Sequence, residues 1–345
     1  MGRLLTVILG AGAAHSINSL SHVLVNEEYR PPLAQDIFKA SSEFRTILRR
    51  YPLAEHLTSD IERKLRQNEE GIGLEQILRG YQEEGRANGN IARQFLQTPL
   101  YLNHLFGEIS THFTQKPDEY NILVNAVLPR TTEALFLTLN YDNLLEIPLS
   151  RVSGVDFERE EDYLQNGEWK LLKLHGSVNW YRSFSSYQVS EADDNAYFSQ
   201  LRHINLPLSF DSRYRFTGLR GHAQKFIDGI PVYPAITVPV DGKYERNVPE
   251  SHLRALENFL TECGNYLIIG TRGLDQDLLD LLKKNTPPSK ALVVGKSEMD
   301  TEATRQRFES AVDQFHSRTS VFSGEHGFSS FVDSGELERF LDSLQ

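Results

Sequence analysis

The sequence predicts an α/β fold: a doubly wound parallel sheet of the Rossmann-like kind with an inserted helical module. Three observations predict it. The apolar run Leu4-Leu5-Thr6-Val7-Ile8-Leu9 leads straight into Gly10-Ala11-Gly12-Ala13-Ala14. Four more apolar runs, at 134–139, 169–174, 266–270 and 291–295, have the same character. Helical patterns lie between them. Apolar strands without alternation are buried on both faces, and such strands belong to parallel sheets covered by helices. Strand–helix alternation then makes the sheet doubly wound.

Taken in order, the first strand is followed by a helix over Ala13 to Leu24 and by a loop, Tyr29-Arg30-Pro31-Pro32-Leu33, since two prolines break any helix. Asp36 follows. From Ile37 to Thr114 no strand pattern occurs: Phe38, Phe44, Ile47 and Leu48, then Ile61 and Leu65, then Leu74, Ile77, Leu78 and Tyr81 recur at helical spacing. Residues 37–114 therefore read as a helical insertion, with turns at 68–73 and 85–90. A helix over 118–128 stops at Pro129, and the strand 134–139 ends at Asn140-Tyr141-Asp142-Asn143, ahead of a short helix over 144–149. The strand 169–174 ends at His175-Gly176-Ser177. Residues 181–249 lack periodicity and read as a second, irregular insertion with room for short strands at 231–240. Regular alternation resumes with helices over 251–262, 275–284 and 301–315, the strands between them, a short strand at 319–322 and a last helix near 335–344. In the helix over 275–284, Asp275 and Asp277 sit in the first turn, where negative charge suits the helix dipole.

The bulk numbers bound the function. With 345 residues, 39% of them hydrophobic and 24% charged, the chain can bury a core as one domain over 1–345 carrying both insertions. No stretch approaches the roughly 20 apolar residues of a membrane span, so no membrane partner and a cytoplasmic location are expected. Cys263 is the only cysteine, which excludes an intramolecular disulfide and a cysteine-based zinc cluster. The formal net charge of −11 argues against nucleic acid as a direct ligand. The local exception is a basic patch, Arg213, Arg215, Arg220 and Lys225, set among aromatic residues. His22, His104, His112, His203, His222, His252, His316 and His326 show no metal-ligand spacing shared with acidic residues and read as packing or surface groups.

Four strands end in polar or glycine-bearing loops: Gly10-Ala11-Gly12, Asn140-Tyr141-Asp142, His175-Gly176 and Gly270-Thr271-Arg272. In an open parallel sheet all the carboxyl ends lie along one edge, so these loops can converge on one crevice. Gly10 and Gly12 allow the backbone to turn sharply and approach a ligand, and the following helix would present N–H groups to a diphosphate. A plain strand-to-helix turn would use the same glycines, and His15 stands where the dinucleotide fingerprint has its third glycine. An imidazole such as that of His175 takes up a proton near neutrality. The Asn140 amide can orient a water and a ribose without adding charge. Asp142 can orient Asn140, accept from a ribose, or simply cap the turn beginning at Asn143. His175 can equally be a packed histidine at a strand end.

These loops resemble those of the SIR2-like (sirtuin-type) family, especially its bacterial anti-phage defence NADases. The resemblance rests on Gly10-Ala11-Gly12, on Thr138-Leu139-Asn140-Tyr141-Asp142 in place of the family's Thr-Gln-Asn-Ile-Asp, on Leu174-His175-Gly176 and on Gly270-Thr271. Weaker likenesses are Pro32 to Asp36, similar to the segment that closes over the nicotinamide, and Val294-Gly295-Lys296, similar to a loop that holds the adenosine ribose. It spans Leu4 to about Gly324 and leaves both insertions unexplained. It implies catalytic roles for Asn140 and His175, with Asp142 beside them. It also implies NAD contacts at Gly10, Ala11, Gly12, Ala13, Asp36, Gly270, Thr271, Arg272, Gly295 and Lys296. Arg272 departs from the family's usual serine, and Ala14 and His15 from its small hydroxyl residue. Sirtuin deacetylases carry a four-cysteine zinc module after the catalytic histidine, and none can be built here, so no metal is expected.

The function expected on this basis is cleavage of NAD⁺, as substrate, to nicotinamide and ADP-ribose by an effector that depletes NAD⁺ in anti-phage defence. The alternatives are a zinc-free deacylase, cyclisation of NAD, or a regulatory subunit that binds NAD or ADP-ribose without turnover. With no sensor region evident in the sequence, control is expected from a homo-oligomer or from a partner, which in similar systems is a HerA-type ATPase or an Argonaute-like protein.

Overall fold

The first strand, β1 (Leu4–Leu9), is the middle of a seven-stranded sheet. In this computed structural model the described residues are 3–18, 26–38, 41–67, 74–113, 118–165, 167–185, 197–199, 201, 208–236, 248–315, 319–322 and 327–344. The remaining strands of the sheet are β2 (Glu133–Thr138), β3 (Leu164–Gln165), β4 (Trp169–Lys173), β9 (Asn265–Ile269), β10 (Lys290–Gly295) and β11 (Thr319–Phe322). Their order is β11-β10-β9-β1-β2-β4-β3, all parallel except the edge pair β3–β4. The chain builds outward from β1 to β2 and β4, then returns to the other side of β1 with β9, β10 and β11. That reversal is the switch point of a doubly wound sheet, the fold class the sequence predicts.

Alternate residues of each strand enter separate cores. Leu5, Val7 and Leu9 pack with Phe136, Leu171, Leu267 and Val294 on one face. Ile8 packs with Leu135, Leu137, Leu172, Ile268 and Val293 on the other. Each such side chain contributes about 1.5–3 kcal/mol on leaving water, so a polar residue on either face of β1 would be costly. Thr6 is the exception that fits: its hydroxyl donates to the Cys263 sulfur at 3.3 Å. The second face is covered by the helices Glu250–Glu262, Gln276–Asn285 and Glu298–Ala311, through Leu256, Leu260, Leu278, Leu281 and Phe308. The first is covered by Glu119–Val127 and two C-terminal helices, Phe328–Asp333 and Glu336–Asp342.

Within the segment read as a helical insertion the structure has helices Ser42–Leu48, Pro52–Arg66, Leu74–Ala87, Gly89–Phe95 and Thr98–His112, with residues 68–73 and Thr114 outside the described part. The last of these is buried nearly all round, because a second sheet lies against it.

In the described part of the 181–249 segment, expected to be irregular with room for short strands at 231–240, the chain instead contributes to a second sheet, residues 186–196, 200, 202–207 and 237–247 lying outside the described part. β5 (Gly176–Phe184) pairs antiparallel with β6 (Phe210–Phe216) and β8 (Ile230–Ile236), and β8 with β7 (Phe226–Ile227). Eight of the nine β5 residues are buried, polar Ser177, Asn179 and Ser183 among them, so no alternation marks it in the sequence. The polar groups are satisfied instead: the Asn179 amide bonds the Tyr163 hydroxyl at 2.9 Å, and Arg215 donates to the Ser183 hydroxyl at 2.7 Å. Other departures are smaller. The first helix is Ala11–Ser16, with residues 19–25 outside the described part. The helix expected at 144–149 is Glu146–Ser153, ending on Gly154 at φ 72°.

Candidate functional site

The glycine turns after β1 and β9 are pressed together at the switch point. The Gly12 amide donates to the Gly270 carbonyl at 2.8 Å. A Cβ on Gly10 would lie 2.7 Å from that same oxygen, and one on Gly270, itself at φ 66°, would lie 2.0 Å from the Ala13 nitrogen. No other residue fits these three positions without moving a backbone. The sequence left two uses open for Gly10 and Gly12: approach to a ligand, with amides for a diphosphate, or a plain strand-to-helix turn. Here Gly10, Gly12 and Ala13 N–H donate within the protein, to Ile269, Gly270 and Gly10 carbonyls, so the close approach of the two turns is one physical reason for the glycines.

Asn140 stands two residues beyond β2 and is buried. Its side-chain amide donates to the Gly10 carbonyl at 3.2 Å and the Tyr120 hydroxyl at 3.4 Å, and its backbone N–H to Thr138 Oγ1 at 3.1 Å. The β1 turn and the β2 exit are therefore one hydrogen-bonded unit. Asp142 is buried, and its carboxylate accepts from the Leu144 amide at 3.1 Å, capping its own turn ahead of the helix Glu146–Ser153. Burial pushes the Asp142 carboxyl up, with the Lys173 ammonium and the Leu144 amide opposing. Tyr141 packs its ring against Phe106, 5.2 Å between centroids, and more loosely against His175 at 6.5 Å.

His175 lies two residues beyond β4 and is followed by Gly176 at φ 80°, where a Cβ would sit 1.8 Å from the Ala235 carbonyl oxygen. This left-handed step, open only to glycine at such contact, turns the chain from the main sheet into β5 and sets the direction of His175. The His175 Nε2 lies 2.6 Å from Asp275 Oδ2. Asp275 is the N-cap of the helix Gln276–Asn285, its other oxygen accepting from the Leu278 amide at 2.8 Å. Burial alone would raise the Asp275 carboxyl. The charge and hydrogen bond of His175, the Leu278 amide and Arg79 outweigh it, and the carboxyl sits below its ordinary value.

Behind the Asn140–Asp142 turn, Lys173 and Glu146 form an ion pair at 2.7 Å with both side chains wholly buried. The Lys173 ammonium also donates to the Asp142 carbonyl. Over the front, the Pro31–Pro32 segment is held to the first helix: the His15 ring bonds the Pro31 carbonyl at 2.8 Å, and Arg30 donates to the His15 and Ile17 carbonyls. Pro31, Pro32 and Ala34 line a cleft with Ala14, Asn140 and Asp142.

A family model described as a SIR2-like domain matches residues 134–311, just over half of the chain. The chain belongs to the SIR2-like family. Solved structures similar to it include a Sir2 homologue–NAD complex, 12% identical with a TM-score of 0.39, covering 99% of this chain and 90% of that one. A Sir2 protein bound to a propionylated peptide is 12% identical with a TM-score of 0.40, covering 99% and 94%. A mutant Sir2 homologue in complex with ADP-ribose is 14% identical with a TM-score of 0.39, covering 99% and 92%. No curated protein matches it.

In this SIR2-like chain the sequence-named residues fall into three groups. Gly10, Ala11, Gly12, Ala13 and Gly270 build the paired turns, with Asn140 and Asp142 beside them. His175 joins Asp275, a residue the sequence marked only as a favourable helix-start charge; Lys173 and Glu146 were not singled out at all. Asp36 ends the short turn Ala34–Asp36, on the segment next to the cleft. The third group lies at the ends of β9 and β10. Thr271 Oγ1 accepts from the Gly273 amide at 3.2 Å, Arg272 and Lys296 are exposed, and Gly295 faces Thr301, whose Oγ1 would be 2.2 Å from a Cβ there.

The histidines bring a correction. His104, Glu108 and His112 are successive turns of one helix face, and His222 from the second insertion joins them. Their Nε2 atoms lie 3.6, 3.1 and 3.2 Å from the Glu108 carboxylate for His104, His112 and His222. Four-residue spacing with an acid was thus present in the sequence. Among the described residues no three such side chains converge to hold a metal ion. His22, His203, His316 and His326 lie outside the described residues.

Proposed function

We propose that the chain is an NAD⁺ glycohydrolase that converts NAD⁺ to nicotinamide and ADP-ribose, acting as an NAD⁺-depleting effector in anti-phage defence. The supporting observation is the pairing of a hydrogen-bonded amide, Asn140, with an acid-supported imidazole, His175, at the carboxyl ends of neighbouring strands β2 and β4. In the reaction the nicotinamide–ribose C–N bond breaks, nicotinamide leaves with the electron pair, and water adds to the oxocarbenium-like C1′ with loss of a proton. Asn140 would orient the water and ribose, and His175 would hold the proton released. Asp142 supports the Asn140 turn from within. The paired turns Gly10–Ala13 and Gly270–Arg272 would border the diphosphate, Asp36 the nicotinamide end, and Gly295–Lys296 the adenosine ribose.

Turnover would be gated by assembly: a second copy of the chain, or an ATPase-like or Argonaute-like partner, engaging the 37–114 or 181–249 insertion. Incubation of the pure protein with NAD⁺, alone and with the product of the neighbouring gene, followed by chromatography of the products, tests the proposal. Nicotinamide and ADP-ribose are expected in equal amounts. Cyclic product alone, or binding without turnover in the assembled complex, would replace it with cyclisation or with a regulatory subunit.

A further inference from the structure

We propose that Asp275 is the positioning residue for His175, forming with it a two-residue proton-handling unit assembled across the switch of the sheet. The inference rests on the glycohydrolase reading for its catalytic meaning and on geometry for the unit itself. The two side chains come from different halves of the sheet, 100 residues apart, and meet at 2.6 Å with both nearly excluded from solvent.

The carboxylate is held by two contacts and lies in the field of a third group. Oδ1 is fixed by the Leu278 amide at the start of the helix Gln276–Asn285. Oδ2 faces His175. Arg79, on the helix Leu74–Ala87, adds positive charge while pairing with the neighbouring Asp277. The Tyr141 ring also lies beside the imidazole, 6.5 Å between ring centroids.

An ionised carboxylate only accepts hydrogen bonds, so Asp275 selects the tautomer of His175 with its proton on Nε2 and the lone pair on Nδ1. When the ring takes up a second proton, the imidazolium forms against a fixed negative charge. No proton need move to Asp275. Burial without such a partner would disfavour the charged ring, so the carboxylate is what allows a histidine at this depth to act as a base.

Asp275→Asn tests the unit, since asparagine still caps the helix and keeps nearly the same shape. The imidazole titration of His175 is followed by NMR in wild type and D275N, with His175→Gln identifying the signal. It is expected to move to lower pH in D275N, because the stabilising charge is gone. NAD⁺ turnover is expected to fall about 10²–10⁴-fold with the acid limb of its pH profile moving the same way. An unmoved His175 titration in folded D275N overturns the proposal whether or not the protein cleaves NAD⁺. Absence of cleavage by the wild type and its complex, with the titration shifted as expected, would overturn the glycohydrolase reading and leave the His175–Asp275 unit standing.

Discussion

Gly12 and Gly270 meet backbone to backbone, the amide of one donating to the carbonyl of the other at 2.8 Å across the switch point. The contact joins the first turn of the chain to the exit of β9. It also places Gly270 where a side chain would collide with the Ala13 nitrogen.

Gly270→Ala is therefore expected to be more destabilising than its backbone angle alone implies. Gly229 is an internal control: it too has positive φ, 74°, but nothing lies within 4 Å of an added Cβ. Gly229→Ala should cost about 1–2 kcal/mol for the left-handed conformation, and Gly270→Ala a further ~1–3 kcal/mol for the clash. Urea melts of the two variants measure the difference. Equal costs would mean that the turns separate freely.

Replacing His175 or Asn140 by alanine should lower NAD⁺ turnover about 10²–10⁴-fold, the range for a positioned proton-transfer or orienting group. Circular dichroism should be unchanged. A near-normal rate in either variant would move the chemistry elsewhere.

The Lys173–Glu146 pair makes a stability prediction. Lys173→Met leaves Glu146 buried without its counter-charge and should cost about 3–5 kcal/mol, whereas the double variant K173M/E146L should recover much of the loss. Denaturant midpoints decide the matter. A double variant as unstable as the single one would show that the ammonium holds the Asp142 turn chiefly through backbone carbonyls.

His104 predicts a pH dependence. Burial lowers its imidazole to about 4, against the partial opposition of Glu108. Between that value and the ordinary 6.5, the unfolded chain binds a proton that the folded one does not, so stability falls as pH drops through this window and is complete above it. The contribution is at most about 3 kcal/mol. His104→Gln, which can keep a bond to the Tyr51 hydroxyl, should flatten the change in urea midpoint between pH 7 and pH 4.5. A slope as steep as wild type would assign it to other groups.

Chelation tests the expected independence from metal. Activity should persist in EDTA, since a single cysteine cannot build the zinc module of the deacetylases. Activity lost to EDTA and restored by zinc would refute this.

The sequence by itself determined the sheet and the strand ends that form the candidate site. β1, β2, β4, β9 and β10 were legible because burial on both faces demands unbroken apolar runs, and their ends because glycine and polar residues interrupt those runs. Asn140 and His175 are singled out the same way, each directly after such a run. β5 escaped because its buried positions include serine and asparagine, whose cost is removed by partners that no local pattern reveals. Only the tertiary structure decided which groups meet: Asp275 reaches His175 across 100 residues, His222 closes on Glu108, and Lys173 turns inward to Glu146. Apolar burial is a property each residue carries along the chain. A charge pair is a property of two residues, and it exists only once the fold has brought them within reach and excluded the water that would otherwise screen them.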